Sequence, residues 1–301
     1  MSWQGRVLSQ VLRRTMKPLM FSGRTTRARM GISAWAMEAS SSLVPVPAAR
    51  FTPLRGTVRG EWVEAGESNS ANVILYLHGG AYIAGSPRTH RPLTAELARS
   101  TGARVLALEY RQAPEHAFPA WIDDALAAYQ HLLKAGERPQ HIVLAGDSAG
   151  GNLVLVLLLK LRELKLPMPA GAVCLSPWTD LACRYHSHTL NAGFEAMLNP
   201  EALRALGKHH IGQHDPKNPL LSPAWADLSG LPPLMVHVGS REILLDDARA
   251  IKRNAKKAGV RLRYREWTDM PHVFPLFHRF LPEGRKAIIE ITDFVKDITS
   301  P

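Results

Sequence analysis

Ser148 stands at the centre of Gly146-Asp147-Ser148-Ala149-Gly150, with Gly151-Asn152 directly behind it. A serine with glycine two residues away on each side is the pattern of a nucleophile held on a sharp strand-to-helix turn, where only glycines let strand and helix approach without a side-chain clash. Three fixed positions in five recur by chance, so the setting decides. The apolar run Ile142 to Ala145 before it reads as a buried strand and Leu153 to Leu164 after it as a helix, which is what the motif requires.

A serine hydroxyl attacks poorly until a base takes its proton, and the oxyanion it creates needs hydrogen-bond donors. His78-Gly79-Gly80-Ala81 follows the apolar run Val73 to Leu77, and the amides of Gly79, Gly80 and Ala149 are the expected donors. Chain order around such a turn is Ser, acid, His, which puts the base late. Of the 13 histidines, His272 in Asp269-Met270-Pro271-His272-Val273-Phe274 is the choice, because it follows a strand ending at Trp267. His278 belongs to the next segment, and His237 alternates inside a strand.

The acid should follow the run Leu234 to Val238, where Glu242, Asp246 and Asp247 all lie. Asp246 and Asp247 open a helix, so capping and the helix dipole already account for them. Glu242 has no such role. It is expected to orient His272 and stabilise its imidazolium, with Asp246 as the alternative acid. His186, His188, His209, His210 and His214 cluster mid-chain without Cys or carboxylate at matching spacing, so no metal site is expected.

The elements that must position these residues alternate. Strand-like character begins near residue 50, with Thr57 to Glu64 and Val73 to Leu77 as strands. Then come helix 93–100, strand 104–110, helix 121–134, the nucleophile strand and its helix, strands 172–175 and 234–238, helix 245–258, strand 261–267 and helix 284–298. Apolar strands alternating with helices predict an α/β fold with a mostly parallel sheet covered on both faces. Residues 1–40 carry apolar positions at helical spacing and predict two or three short helices, followed by an extended Pro-rich connector. Residues 182–231 exceed a normal crossover and hold a helix from Pro200 to His210. With residues 1–45 they are expected to form a two-part cap over a catalytic domain of residues 46–181 and 232–301, in which Met16, Met20, Phe21, Met197 and Leu198 are the residues that could close a pocket.

The 301 residues, 46% hydrophobic and 21% charged, suit a globular protein. No apolar run approaches the ~18 residues of a membrane span, the longest being Leu153 to Leu159. Cys174 and Cys183 make no disulfide framework, so residence in the cytoplasm is the default. The net charge of +11 is concentrated early, where residues 1–60 hold ten Lys/Arg against Glu38 alone. A nucleic-acid arm, a membrane-surface or transit segment and a solvated helical face all fit. The solvated face is preferred, with no nucleic-acid partner expected.

Four blocks in order, His78-Gly79-Gly80-Ala81, Tyr110-Arg111-Gln112-Ala113-Pro114-Glu115, Gly146 to Asn152 and Met270-Pro271-His272-Val273-Phe274, make residues 70–280 resemble the bacterial branch of the hormone-sensitive-lipase family of α/β-hydrolase carboxylesterases. The resemblance implies an α/β-hydrolase fold of about eight strands with one antiparallel pair near the start and a helical cap. It also implies hydrolysis of short- to medium-chain carboxylic esters through an acyl-enzyme, without a cofactor, and a homodimer through the edge strand 261–267. Ala81 stands where a third glycine is usual, and Gln112 replaces a common leucine. Arg241 occupies the position where many relatives carry the catalytic aspartate; a similar subgroup reads Gly-Ser-x-Glu-x-Leu-Leu-x-Asp and uses the glutamate. The same triad would also serve a lactonase or an amide deacetylase, whereas small-molecule receptors of this fold lose the histidine retained here as His272.

Overall fold

Val73-Ile74-Leu75-Tyr76-Leu77 is apolar at every position, as a strand buried on both faces must be, and all five residues are buried near the middle of an eight-stranded sheet. The computed structural model describes residues 2–19, 26–66 and 71–300. In chain order the strands are β1 (Arg50–Leu54), β2 (Gly60–Glu64), β3 (Val73–Leu77), β4 (Arg104–Leu108), β5 (Ile142–Asp147), β6 (Gly171–Leu175), β7 (Leu234–Gly239) and β8 (Leu262–Trp267). Across the sheet they run β1-β2-β4-β3-β5-β6-β7-β8, which leaves β8 at one edge.

The helices are α1 (Trp3–Leu19), α2 (Arg27–Ser41), α3 (Arg91–Thr101), α4 (Ala120–Lys134), α5 (Ala149–Glu163), α6 (Ser187–Leu190), α7 (Pro200–Ile211), α8 (Leu245–Lys257) and α9 (Pro282–Thr299). Alternate strand residues divide between two cores. Leu75, Leu144 and Val236 pack on the face shared with Leu132, Leu155 and Ile251, while Ile74, Val143 and Met235 pack on the face shared with Leu97, Ile291 and Phe294. The sheet is therefore covered by α4, α5 and α8 on one side and by α3 and α9 on the other. None of the described helices is long and apolar enough to cross a membrane.

Three expectations are corrected. Residues 50–54 form a separate strand that the pattern of 57–64 concealed; it tolerates Pro53 because it is the outermost strand. β2 runs antiparallel to both β1 and β4, giving two antiparallel pairings rather than one. The N-terminal segment forms two helices of 17 and 15 residues instead of short pieces. The first of these reaches across to the 192–195 segment, where Arg13 donates to Phe194 O at 2.8 Å and Lys17 to Glu195 O at 2.9 Å.

Parallel register brings the functional loops to one edge. Leu77 pairs with Gly146, Asp147 with Leu175, Leu175 with His237 and Gly239 with Trp267, so the loops after β3, β5, β6, β7 and β8 all leave the sheet side by side at its carboxyl end. That is where ligands bind in open α/β sheets. The chain packs closely there at Gly150: a Cβ would sit 1.9 Å from Leu77 O and 2.5 Å from His78 O, both rigid backbone atoms. Gly150→Ala is expected to cost about 1–3 kcal/mol or more. Urea denaturation checks this, and an unchanged midpoint would contradict the packing.

Candidate active site

Ser148 is the residue between β5 and α5, at φ 54° and ψ −120°. A non-glycine residue there is strained, and surrounding bonds must hold it. Ser148 N donates to Leu175 O at 2.8 Å, and Ser148 O accepts from Trp178 N at 3.0 Å and Asn152 N at 3.1 Å. The side chain of Asn152 steadies the first turn of α5 by donating to Trp178 O and Leu221 O while accepting from Tyr82 Oη.

The loop after β3 differs from expectation in one donor. Gly79 N donates to Asp147 Oδ1 at 3.0 Å, so it is not free to meet an oxyanion. The next two residues turn sharply, with φ 123° at Gly80 and 53° at Ala81. Gly80 admits no side chain, since a Cβ would lie 2.0 Å from Ala84 O. Ala81 does carry one, at a cost of about 1–2 kcal/mol for its left-handed conformation. The amides of Gly80, Ala81 and Ala149 have no hydrogen-bond partner among the described residues. Gly79 is thus replaced by Ala81 in the set of available donors, because the side chain of Asp147 turns back onto the loop.

Asp147 is the residue that sequence reading missed, although it lies inside the motif. Its Oδ1 also accepts from Tyr76 Oη at 2.7 Å and lies 3.3 Å from His90 Nε2. Burial raises the pKa of this carboxyl, but His90 and the hydroxyl of Tyr76 outweigh it and hold the group below its ordinary range. His78 stacks on Tyr110 at 4.2 Å between ring centroids, and burial pushes its pKa down to about 3, so it is neutral.

His272 Nδ1 lies 2.8 Å from Glu242 Oε2, with both side chains buried. The other oxygen, Oε1, accepts from Ser176 Oγ at 2.7 Å and Gly239 N at 2.5 Å. Ser176 Oγ in turn accepts from Val273 N at 3.1 Å, so one hydroxyl ties the carboxylate to the loop that carries the imidazole. Burial lowers the pKa of His272, yet the hydrogen bond and charge of Glu242 override it and leave the imidazole above its ordinary 6.5. Ser176 belongs to no motif.

Asp246 lies elsewhere. Its carboxylate accepts from Ser187 N at 3.0 Å and pairs with Arg249 at 3.2 Å, so it anchors the 187 segment rather than His272. Asp247 does more than begin a helix. It accepts from Thr179 N and Asp180 N at 2.8 Å each and lies 3.0 Å from His188 Nε2. Burial lowers the pKa of His188, but Asp247 overrides this and lifts it to about 10. His210 is held neutral by burial at about 4 and donates Nε2–H to Ala81 O at 2.8 Å. These two histidines of the mid-chain group are thus bound to a carboxylate and a carbonyl.

Met16 and Met197 line a common apolar cavity of about 310 Å³, with Leu12, Met37, Phe277 and His90 among its walls. Leu198 is buried but lies outside that lining, and Met20 and Phe21 fall outside the described residues.

A family model described as the alpha/beta hydrolase fold matches residues 74–276. An acetyl-hydrolase of Streptomyces hygroscopicus is 47% identical over 244 residues, covering 81% of each chain. An esterase of Acinetobacter venetianus is 38% identical, covering 84% of each. Among solved structures, an esterase from the bacterial hormone-sensitive lipase family superposes with a TM-score of 0.92 at 40% identity, over 100% of this chain and 99% of that one. The chain belongs to this family of α/β-hydrolase esterases. Within the bacterial hormone-sensitive-lipase frame, its local departure at Ala81 keeps the backbone donor, and the departure at Arg241 leaves Glu242 as the carboxylate beside His272.

The Ser176 clamp yields a stability expectation. Ser176→Ala removes a donor to buried Glu242 and orphans Val273 N, which should cost about 1–3 kcal/mol. Urea denaturation should show a lower midpoint at constant slope, and a midpoint equal to wild type would remove the clamp.

Proposed function

We propose that this esterase hydrolyses carboxylic esters with Ser148 as nucleophile, His272 as general base and acid, and Glu242 as the carboxylate that orients His272. The observation carrying this reading is the 2.8 Å contact from His272 Nδ1 to Glu242 Oε2. With its Nδ1 proton directed at the carboxylate, the imidazole keeps Nε2 unprotonated and able to accept the Ser148 proton. Ser148 Oγ then attacks the ester carbonyl carbon. The carbonyl oxygen becomes the oxyanion, and the amides of Gly80, Ala81 and Ala149 are proposed to receive it. His272 returns the proton to the departing alcohol, leaving an acyl-serine. Water deprotonated by the same imidazole attacks that acyl-enzyme and releases the acid.

Short- to medium-chain acyl groups are the proposed substrates. Residues 1–45 and 182–231 are proposed as the two parts of a cap over a catalytic domain of residues 46–181 and 232–301. The contacts of Arg13 and Lys17 with residues 192–195 support treating these parts as one layer. Cytoplasmic residence belongs to the same reading and rests on Cys174 and Cys183, both buried and free.

Ser148→Ala should abolish turnover of p-nitrophenyl butyrate while leaving thermal unfolding near that of wild type. A folded variant that still turns over would refute the nucleophile assignment. The pH profile tests the pair. Because the neutral imidazole is the working form, kcat/KM should fall as pH drops through the pKa of His272, with a midpoint above 6.5. Glu242→Gln removes the charge that raises it, so the midpoint should move down and the rate should fall about 10³- to 10⁴-fold. A profile unchanged by this substitution would break the assignment of Glu242.

A further inference from the structure

One helix of the proposed cap shows two different faces. On α1, Gly5, Leu8, Leu12 and Met16 turn inward, while Trp3, Val7 and Val11, spaced four residues apart, share an outward stripe and are 65%, 51% and 50% exposed. Next to that stripe lie Arg6 and Arg14, exposed and without an ion pair among the described residues. On the second helix Ile32 and Trp35 also face outward, and Trp35 is 67% exposed. Leu43, 79% exposed, and Phe280 stand with Val11 around the 310 Å³ apolar cavity whose deeper walls include Leu8, Leu12, Met16 and Met197.

A solvated helical face, the ordinary reading of a basic segment, does not account for this surface. Solvation explains the arginines but not two exposed tryptophans and a row of valines beside them. Exposed Trp, Val and Leu flanked by unpaired cations is the composition of a helix lying in a membrane interface, where indole rings sit at headgroup depth and arginines meet anionic headgroups. Charge favours that partner over a second copy of this chain. Helices α1 and α2 hold Arg6, Arg13, Arg14, Lys17, Arg27 and Arg29 against the single acid Glu38, so two such faces would repel each other. That acid, Glu38, is already engaged, accepting from Ser86 Oγ at 2.6 Å.

We propose that the outward faces of α1 and α2 form a docking surface for anionic phospholipid bilayers, which sets the mouth of the apolar cavity against the lipid. Peripheral contact is what this surface offers, since no described helix can span a bilayer. The proposal requires no catalytic assignment, and its test does not read turnover except as a control.

The test is co-sedimentation of the full chain with vesicles of phosphatidylcholine alone and of equal parts phosphatidylglycerol and phosphatidylcholine. Binding is expected to the phosphatidylglycerol vesicles only, and to weaken as salt rises toward about 1 M, where the screening length is about 3 Å. Reversing two cations in Arg6→Glu/Arg14→Glu should lower the partition about tenfold or more. Trp3→Ser/Val7→Ser should lower it through the apolar stripe. Both pairs are solvent-exposed, and unchanged thermal unfolding and p-nitrophenyl acetate hydrolysis confirm that each variant is folded. Failure of the wild-type chain to bind phosphatidylglycerol vesicles would overturn the proposal. So would equal binding to both vesicle types, pelleting without vesicles, which marks self-association, or folded variants that bind like wild type.

Discussion

The site depends on how closely the first turn of α5 approaches the end of β3. Gly150 lies under the carbonyls of Leu77 and His78, with no room for a single carbon between them. That contact sets the nucleophile turn and the loop of Gly80 and Ala81 at one height above the sheet. Gly146 contributes the second half, since a Cβ there would lie 2.6 Å from both Leu77 O and Gly150 O. The strained backbone of Ser148 persists because strand, helix and neighbouring loop each fix one side of it.

Loops above that contact are held by buried carboxylates, each of which joins two segments remote in sequence. Asp147 connects the nucleophile turn to Gly79 and Tyr76. Glu242 joins Gly239 and Ser176 to His272. Asp247 links the start of α8 to residues 179–180 and His188. Glu195 repeats the device, accepting from Met197 N at 2.8 Å and Ile243 N at 3.1 Å. Charged groups out of water are tolerated only when their lone pairs are satisfied in this way. Removing one partner exposes the full desolvation penalty, so such ties are more rigid than their number suggests.

What could be seen in the sequence was whatever depends on local backbone chemistry. The strand, turn and helix around Ser148 follow from glycine spacing and apolar runs, and the parallel sheet follows from their alternation. Contacts made by side chains folding back across the site were not legible. Nothing in the spelling of the 78–81 loop says that the Gly79 amide is consumed by Asp147, and no pattern marks Ser176. β1 was hidden for a different reason: strand-like character begins near residue 50, but Arg50-Phe51-Thr52-Pro53-Leu54 is short and carries a proline, so only its pairing with β2 separates it from the stronger pattern of 57–64. Residues 246 and 247 looked like ordinary helix-start acids, which concealed their bonds to the 179–188 segment.

Arg241 makes the geometry of Glu242 intelligible. Residues 240–244 must connect β7 to α8 while passing the loop that carries His272, and the approach is close: a Cβ at Gly239 would lie 2.1 Å from Met270 O. Outside this crossing, Arg241 pairs with Asp269 at 2.7 Å, about a third exposed on each side, and such a pair contributes roughly 0–1 kcal/mol. Inside it, Glu242 turns back to accept from Gly239 N three residues earlier and reaches His272 with its other oxygen. An aspartate at 242 would have one methylene less with which to fold back and still span that gap. The longer acid and the arginine before it therefore contact the same two loops from opposite sides: the absence of a side chain at Gly239 permits the close approach, the outer pair adds little energy to it, and the buried carboxylate orients the imidazole.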